Sequence, residues 1–253
     1  MKCPGQDSRY WKPGAIFEVP CPECGHQVEF FKDETTRKCP KCGHRFVNPG
    51  LDFGCAAYCR YAEQCIGSLP PELIAEKRDL LKDRVAVEVK RLLGRDFKRI
   101  GHAVRVARYA EEMAKAEQGD LPVIITAAYL HDIGIPEAEK KYGGSGFEQH
   151  EEEGRDAARR LLERLGAPGD LIDEVCDIIG RHHHPGDRET VNFKCVYDAD
   201  LIANLEDRLK AEESRPRDLD EIIEEGFLTE SGRRAARRIL GSTQGERGRH
   251  KGP

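Results

Sequence analysis

Histidines and aspartates recur in apolar stretches beyond residue 100, and these residue types can bind metal ions. In YLHDIG (129–134) a histidine directly precedes an aspartate at the end of an apolar run, and YDADLI (197–202) places an aspartate in another such run. Each of these side chains is costly to bury without a partner. The histidines are His102, His131, His150, His182, His183 and His184, and the aspartates are Asp132 and Asp200.

A bundle of helices could bring this set together. Imidazole nitrogens and carboxylate oxygens that point inward from different helices form the mono- and dinuclear metal sites of helical proteins. A divalent cation also offsets the cost of burial, because it balances the carboxylate charge and accepts the imidazole lone pairs. Arg105 lies one helical turn after His102 on the same face, where its guanidinium could bind a substrate phosphate.

Two near-identical cysteine motifs lie within the first fifty residues. CPECGH (21–26) and CPKCGH (39–44) each contain two cysteines separated by two residues, followed by a glycine that permits a tight turn. The resulting spacing, C-x2-C-x14-C-x2-C, resembles that of a zinc ribbon. We therefore expect a structural zinc ion, with no open position for chemistry, on Cys21, Cys24, Cys39 and Cys42.

A second cysteine group follows in GCAAYCRYAEQCIG (54–67). It contains Cys55, Cys59 and Cys65, and Cys3 would supply a fourth thiolate if the two flanks of the ribbon emerge side by side. Clustered cysteines in a reducing compartment favour metal over disulfides. The spacing matches no specific pattern, so a second zinc, an iron–sulfur cluster and free buried thiols all stay open.

The pattern of the chain changes near residue 68. Residues 1–68 are rich in Cys, Gly and Pro, with short alternating segments that predict small strands around a metal. Residues 69–241 have helical apolar periodicity, which predicts an all-α domain of seven or eight helices. Residues 242–253 are polar and basic, which predicts a disordered tail. The predicted fold class is mainly α, a helical bundle preceded by a small β-rich zinc ribbon.

Charge and hydropathy argue against several classes of partner. The formal net charge of -5 gives no general attraction to nucleic acid or to an anionic membrane. No apolar run reaches the roughly 18 to 20 residues that span a bilayer, and the first residues lack the apolar segment of a secretion signal. We expect a cytoplasmic protein with no membrane or nucleic-acid partner. The oligomeric state stays open, and a homodimer is one option.

The order of the histidines and aspartates resembles that of the HD-domain superfamily of metal-dependent phosphohydrolases. The matching residues are His102 in RIGHAVRVA, His131 and Asp132 in YLHDIG, and Asp200 in YDADLI. The resemblance covers roughly residues 90 to 210 and implies the helical bundle of an HD domain.

The same resemblance implies a dinuclear centre. His150 and His182 fall where dinuclear members of the superfamily supply extra ligands, and His183 competes with His182 for that role. The resemblance then implies a second metal ion, with Asp132 bridging the two. The expected ions are divalent, such as iron or manganese.

The activity that the resemblance implies is hydrolysis of a phosphate ester or anhydride in a phosphorylated small molecule, which we expect to be nucleotide-like. Metal-bound hydroxide would be the nucleophile, because bound divalent ions lower the pKa of water and draw charge from a phosphoryl oxygen. Asp132 and Arg105 are the predicted catalytic residues.

Two alternatives stay open. Some relatives of the HD fold use a diiron centre to oxidise organic substrates, and the His/Asp set would also suit iron. A regulatory module is the other alternative, in which the cysteine-rich region senses redox state or metal and the helical domain binds a nucleotide without turnover.

Overall fold

A computed structural model describes residues 16–31, 34, 36–50, 71–144, 146–211 and 219–242. The chain divides into two units, Met1–Lys77 and Arg78–Pro253. Two regions of the sequence analysis lie outside the described residues. They are the second cysteine group, with Cys3, Cys55, Cys59 and Cys65, and the predicted tail from residue 243 onward.

The N-terminal unit contains two antiparallel hairpins, and each cysteine motif forms the turn of one of them. Phe30 of the first hairpin packs edge-on against Phe46 of the second, with ring centroids 5.2 Å apart. The buried cluster that the described residues of the two hairpins form is too small to stabilise them alone, so the hairpins need a further crosslink. The strands are β1 Ile16–Pro20, β2 Gln27–Phe31, β3 Thr36–Lys38 and β4 Arg45–Val47.

The rest of the described chain is helical. Helix α2 packs against α3 and α7, and α3 also contacts α6. Seven of the ten residues of α3 are buried, which explains its largely apolar sequence. The helices are α1 Pro71–Leu93, α2 Phe97–Glu117, α3 Leu121–Leu130, α4 Ile135–Tyr142, α5 Phe147–Leu165, α6 Gly169–Ile179, α7 Val191–Ala211, α8 Leu219–Gly226 and α9 Glu230–Ser242.

The boundaries of α2 and α3 follow from capping. The Asp96 carboxylate accepts a hydrogen bond from the backbone N–H of Arg99, and Asp120 accepts one from Val123 in the same way. Each carboxylate satisfies a donor that has no partner within its helix. Helix α2 ends at Gln118, which adopts a left-handed conformation with φ of 57°. These caps fix the start and end of the two helices that carry His102 and lead into His131.

The described residues form nine helices, whereas the sequence predicts seven or eight, and α4 is the additional one. It is short, and Ala138 is its one buried residue, so its apolar periodicity is too weak to indicate a helix. Its boundaries nevertheless carry ordinary signals. Pro136 lies in the first turn, and Gly143 ends the helix with φ of 76°.

A buried carboxylate joins α7 to α9. Asp198 of α7 is fully buried and accepts hydrogen bonds from the backbone N–H of Leu228 at 2.8 Å and from that of Thr229 at 2.9 Å. The Thr229 hydroxyl donates a third, at 2.6 Å. Because Asp198 lies two residues before Asp200, this contact also helps to hold the part of α7 that carries a candidate metal ligand.

The predicted fold class is confirmed, because the described residues form a mainly helical protein with a small two-hairpin β region. In the described part of residues 71–241, the apolar periodicity corresponds to helices that pack apolar side chains into one core. None of the described helices combines the length and the apolar character needed to cross a bilayer.

Gly134 allows the segment before α4 to touch the backbone of α5. A Cβ added at Gly134 would lie 2.2 Å from the His150 carbonyl oxygen and 2.3 Å from the Gly154 nitrogen. The φ of Gly134 is −80°, so this position demands space rather than an unusual conformation. The glycine therefore brings Asp132 close to the helix that carries His150.

We predict that Gly134→Ala lowers the free energy of unfolding by about 2 kcal/mol or more, because the added methyl group meets backbone atoms that cannot rotate away. Urea denaturation followed by circular dichroism measures this change. Gly144→Ala is the matched control, because no heavy atom lies within 4 Å of a Cβ added at Gly144. Equal stability of the two variants would contradict the prediction.

Candidate functional site

The four cysteines of the ribbon converge on one point. Cys21 Sγ lies 3.7 Å from Cys42 Sγ, and Cys24 Sγ lies 3.6 Å from Cys39 Sγ. A tetrahedral ion with bonds of about 2.3 Å to sulfur has sulfur–sulfur edges of roughly 3.8 Å. The two turns have the same backbone hydrogen bonds, and each contains a glycine with positive φ, 69° at Gly25 and 73° at Gly43.

Electrostatics also indicate that these thiols need a cation. Burial alone would raise the pKa of Cys39, but backbone N–H groups of the turn outweigh it and lower that pKa to about 7. At Cys42 a backbone donor acts in the lowering direction, yet burial and the three neighbouring thiols raise the pKa to about 12. Four thiolates therefore cannot form together unless a positive ion compensates them.

The His/Asp set comes from five helices or the turns that follow them. His102 lies on α2 and Asp200 on α7, His150 lies in the first turn of α5, and the others lie in the turns after α3 and α6. The structure brings all seven side chains together in two overlapping groups of ligand atoms. The seven are His102, His131, Asp132, His150, His182, His183 and Asp200.

The first group contains His102, His131 and Asp200, with Asp132 at its edge. His102 Nε2 lies 2.9 Å from Asp200 Oδ1, and His131 Nε2 lies 3.4 Å from the same oxygen. Asp132 Oδ2 lies 3.2 Å from His131 Nε2 and 3.9 Å from His102 Nε2. These spacings resemble the roughly 3 to 3.5 Å between ligand atoms that share an ion with bonds of about 2.1 Å.

The second group contains Asp132, His150, His182 and His183. The other carboxylate oxygen, Asp132 Oδ1, lies 3.8 Å from both His150 Nε2 and His182 Nε2. His183 Nε2 lies 3.1 Å from His150 Nε2. Asp132 therefore directs one oxygen to each group, which is the arrangement of a bridging carboxylate.

Backbone carbonyl groups orient three of the histidines. His131 Nδ1 donates to Ala128 O at 2.9 Å, His182 Nδ1 to Ile179 O at 2.8 Å, and His150 Nδ1 to Gly146 O at 3.0 Å. In a neutral ring this places the free lone pair on Nε2. His131 Nε2 and His182 Nε2 are buried and have no hydrogen-bond partner, so the side chains fit metal ions at this position.

The two groups differ in charge. Burial would lower the pKa of His131, but Asp132 and Asp200 reverse this and raise it well above the ordinary histidine value. Burial and the neighbouring His182 lower the pKa of His183 to about 4, and burial lowers that of His150. The first group thus pairs two imidazoles with two carboxylates, whereas the second has three imidazoles and one shared carboxylate.

Arg105 borders the first group but is paired with carboxylates. Its Nη2 donates to Asp207 Oδ2 at 2.5 Å, and its Nε lies 3.5 Å from Glu206 Oε2. Asp207 Oδ2 also lies 3.8 Å from His102 Nδ1. Phosphate binding by Arg105 stays a prediction. It would require the guanidinium to break its ion pair with Asp207 and bind the substrate phosphate instead.

The sequence analysis missed Glu151, which belongs to this site. It follows His150 in a run of three glutamates that resembles an exposed helix face, yet its side chain is 4% exposed. Its carboxylate accepts a hydrogen bond from the backbone N–H of His183 at 2.9 Å. Helical periodicity would have identified it, since Glu151 lies on the same buried face of α5 as Gly154, Ala158 and Leu162.

The fold and the side chains define a class, a helical domain with an internal cluster of His and Asp residues that could hold metal ions. The family model described as the HD domain matches residues 99–205, which include every member of the His/Asp set. Residues 99–205 therefore match the HD-domain model, and they follow a β region with a four-cysteine cluster.

Solved structures of other proteins are similar to parts of this chain. A predicted HD superfamily hydrolase from an uncultured Thermotogales bacterium is 26% identical, with a TM-score of 0.50, and the match covers 66% of this chain and 89% of that one. Bacillus subtilis YpgQ is 19% identical, with a TM-score of 0.45, and the match covers 69% of this chain and 98% of that one. The structure of Bacillus subtilis YpgQ in complex with ADP is also 19% identical, with a TM-score of 0.42, and the match covers 68% of this chain and 98% of that one. The comparison with curated proteins gave no match.

Proposed function

We propose that the chain is a metal-dependent phosphohydrolase that cleaves a phosphate ester or anhydride of a nucleotide-like small molecule. The observation that carries this proposal is the position of Asp132, which directs one carboxylate oxygen to each of two groups of ligand atoms. A bridging carboxylate between two imidazole-rich groups is the arrangement that two-metal hydrolytic centres use. The similarity to an HD superfamily hydrolase supports the same class of reaction.

The proposed cofactors follow from the donor atoms. One divalent ion such as iron or manganese would be held by His102, His131, Asp132 and Asp200, and a second by Asp132, His150, His182 and His183. Bound there, such ions lower the pKa of water and take up charge from a phosphoryl oxygen. The ribbon would hold zinc, because four thiolates at tetrahedral spacing favour that ion.

The residues of the chain have separate tasks in this proposal. The carbonyl groups of Ala128, Ile179 and Gly146 hold the imidazoles with Nε2 directed inward, so the ligands are oriented before any ion binds. Burial of His131 keeps bulk water away from the inner side of the centre. Arg105 would bind a phosphate oxygen and thereby orient the substrate.

The nucleotide-like part of the proposal is supported by Phe147. Its side chain is 60% exposed, although large aromatic rings are usually buried. Its ring centroid lies 4.3 Å from that of His183 and 6.0 Å from that of His150, so it stands beside the second group. An exposed aromatic ring is a stacking surface for a nucleobase, which would be the distal part of a bound nucleotide.

A diiron oxygenase is the second candidate, and the imidazole-rich second group favours it. Three imidazoles and one shared carboxylate suit iron as well as other transition ions. Assays with ferrous iron under nitrogen and under air separate the two candidates. Phosphate release that is equal under both gases supports the hydrolase, whereas turnover that depends on dioxygen supports the oxygenase.

Asp132→Ala should abolish the proposed activity, because it removes the ligand that both groups share. We expect phosphate release from nucleotides to fall by at least about a hundredfold and both ions of the centre to be lost. Elemental analysis and an assay with manganese or ferrous iron measure the two effects. Asp173→Ala, on the exposed surface of α6, is the control, and retained turnover in Asp132→Ala would exclude the proposed centre.

Cys39→Ser should release one zinc ion per chain and leave the ions of the His/Asp centre in place, because the two sets of ligands are separate. The hairpins should unfold with the loss of zinc, since a closed thiolate site contributes much of the folding free energy of a small unit. Elemental analysis and amide exchange measure this. Lys41→Ala, an exposed change in the same turn, should have no effect, and unchanged zinc in Cys39→Ser would contradict the assignment.

Phe147→Ala should lower kcat/KM for a nucleoside monophosphate by about tenfold and leave that for ribose 5-phosphate unchanged, because only the nucleotide has a base to stack. Leu92→Ala removes an equally exposed apolar side chain from α1 and serves as the control. Equal losses with both substrates would indicate that Phe147 supports His183 rather than the base.

A further inference from the structure

Glu151 is a buried carboxylate that the proposed chemistry does not use. Its carboxylate accepts hydrogen bonds from the backbone N–H of His183 at 2.9 Å and from His184 Nδ1 at 3.0 Å. Oε1 also lies 3.8 Å from His182 Nδ1. Every one of these contacts is with the histidine turn, which we define as residues 182–184 after α6.

Two consecutive side chains of the histidine turn reach the same group of ligand atoms. Consecutive side chains in a turn leave the backbone in different directions, yet His182 and His183 both reach the group around Asp132. The ring of His182 is fixed by Ile179 O. The backbone N–H of His183 lies beyond the end of α6 and finds its acceptor on Glu151, from another helix.

The residue before the histidine turn is held independently. Arg181 forms ion pairs with Asp177 and Glu189, and its guanidinium lies over the Phe193 ring at 4.5 Å. These contacts hold the end of α6 without help from Glu151. Loss of Glu151 should therefore release the later part of the turn, where His183 lies, while α6 stays in place.

We propose that Glu151 is a positioning residue for the second metal ion. It fixes the histidine turn so that His182 and His183 face Asp132 and His150, and its negative charge offsets part of the charge of an ion that has one shared carboxylate among its ligands. This inference rests on the proposed function, because it assumes that the second group binds an ion.

The predicted consequence is selective. Glu151→Ala should weaken binding of one ion by about tenfold to a hundredfold and leave the other within about threefold, because the first group has no contact with Glu151 among the described residues. Glu151→Gln keeps an acceptor for the His183 N–H and should recover most of the loss. The exposed variant Glu152→Ala should bind both ions like the wild type.

The measurement is calorimetric titration of the metal-stripped full chain with Mn²⁺, which prefers nitrogen and oxygen ligands to the thiolates of the ribbon. Thermal denaturation of the same metal-free samples reports the stability of the fold separately. His184→Ala removes one hydrogen-bond partner of Glu151 at the surface, and it should lower the affinity for the same ion to a smaller extent. It also provides a test if Glu151→Ala does not fold.

The outcomes are distinct. Selective loss of one ion, with recovery in Glu151→Gln, supports the positioning role. A lower melting temperature with both ions bound at wild-type affinity, or equal weakening of both ions, overturns it. If the wild type binds fewer than two Mn²⁺ ions, the dinuclear centre of the proposed function fails before Glu151 is tested.

Discussion

The helical unit depends on how the carboxylate of Asp132 is compensated. Asp132 lies between the two groups of imidazoles, and burial alone would raise its pKa, yet His131 and His182 lower that pKa well below its usual range. Removing one member of such a set leaves charge or lone pairs buried without partners, at a cost of several kcal/mol. The seven residues therefore form one electrostatic unit, and the surrounding helices have to place them as a unit.

The ends of the helices provide that placement. His131 and His182 each follow the last residues of a helix, where carbonyl groups lack partners within the helix. Their Nδ1 atoms donate hydrogen bonds to two of these carbonyl groups, those of Ala128 and Ile179. The same hydrogen bonds therefore satisfy the end of each helix and orient the imidazole ring. Gly134 then lets the turn after His131 touch the backbone of α5. A ligand pair that reads as a short motif in the sequence is thus the meeting point of three helices.

Sequence reasoning predicted what depends on local pattern and missed what depends on a distant partner. The apolar faces of the long helices and the two cysteine turns are local patterns, and periodicity or spacing was sufficient for them. The set His102, His131, Asp132 and Asp200 was predicted from its order along the chain, which resembles that of the HD-domain superfamily. Periodicity places Glu151 on the buried face of α5, but its partners lie more than thirty positions away in the histidine turn, so the local pattern could not assign it a role. For Arg105 the helical face was predictable, but pairing with Asp207 depends on how α2 and α7 pack.

The two candidate metal centres differ in how accessible a bound ion would be to a substrate. In the ribbon, four sulfur atoms complete a tetrahedron, so an ion there has no position for a substrate. In the His/Asp centre, His131 is 0% exposed and Asp200 7%, whereas the Asp132 side chain is 25% exposed. The shared carboxylate therefore lies on the open side. The exposed Phe147 ring packs against His183, which shares the second group with Asp132. In the proposed function, a substrate phosphate at the ions would have its organic part near that ring, so the structure of this part is expected to matter for activity.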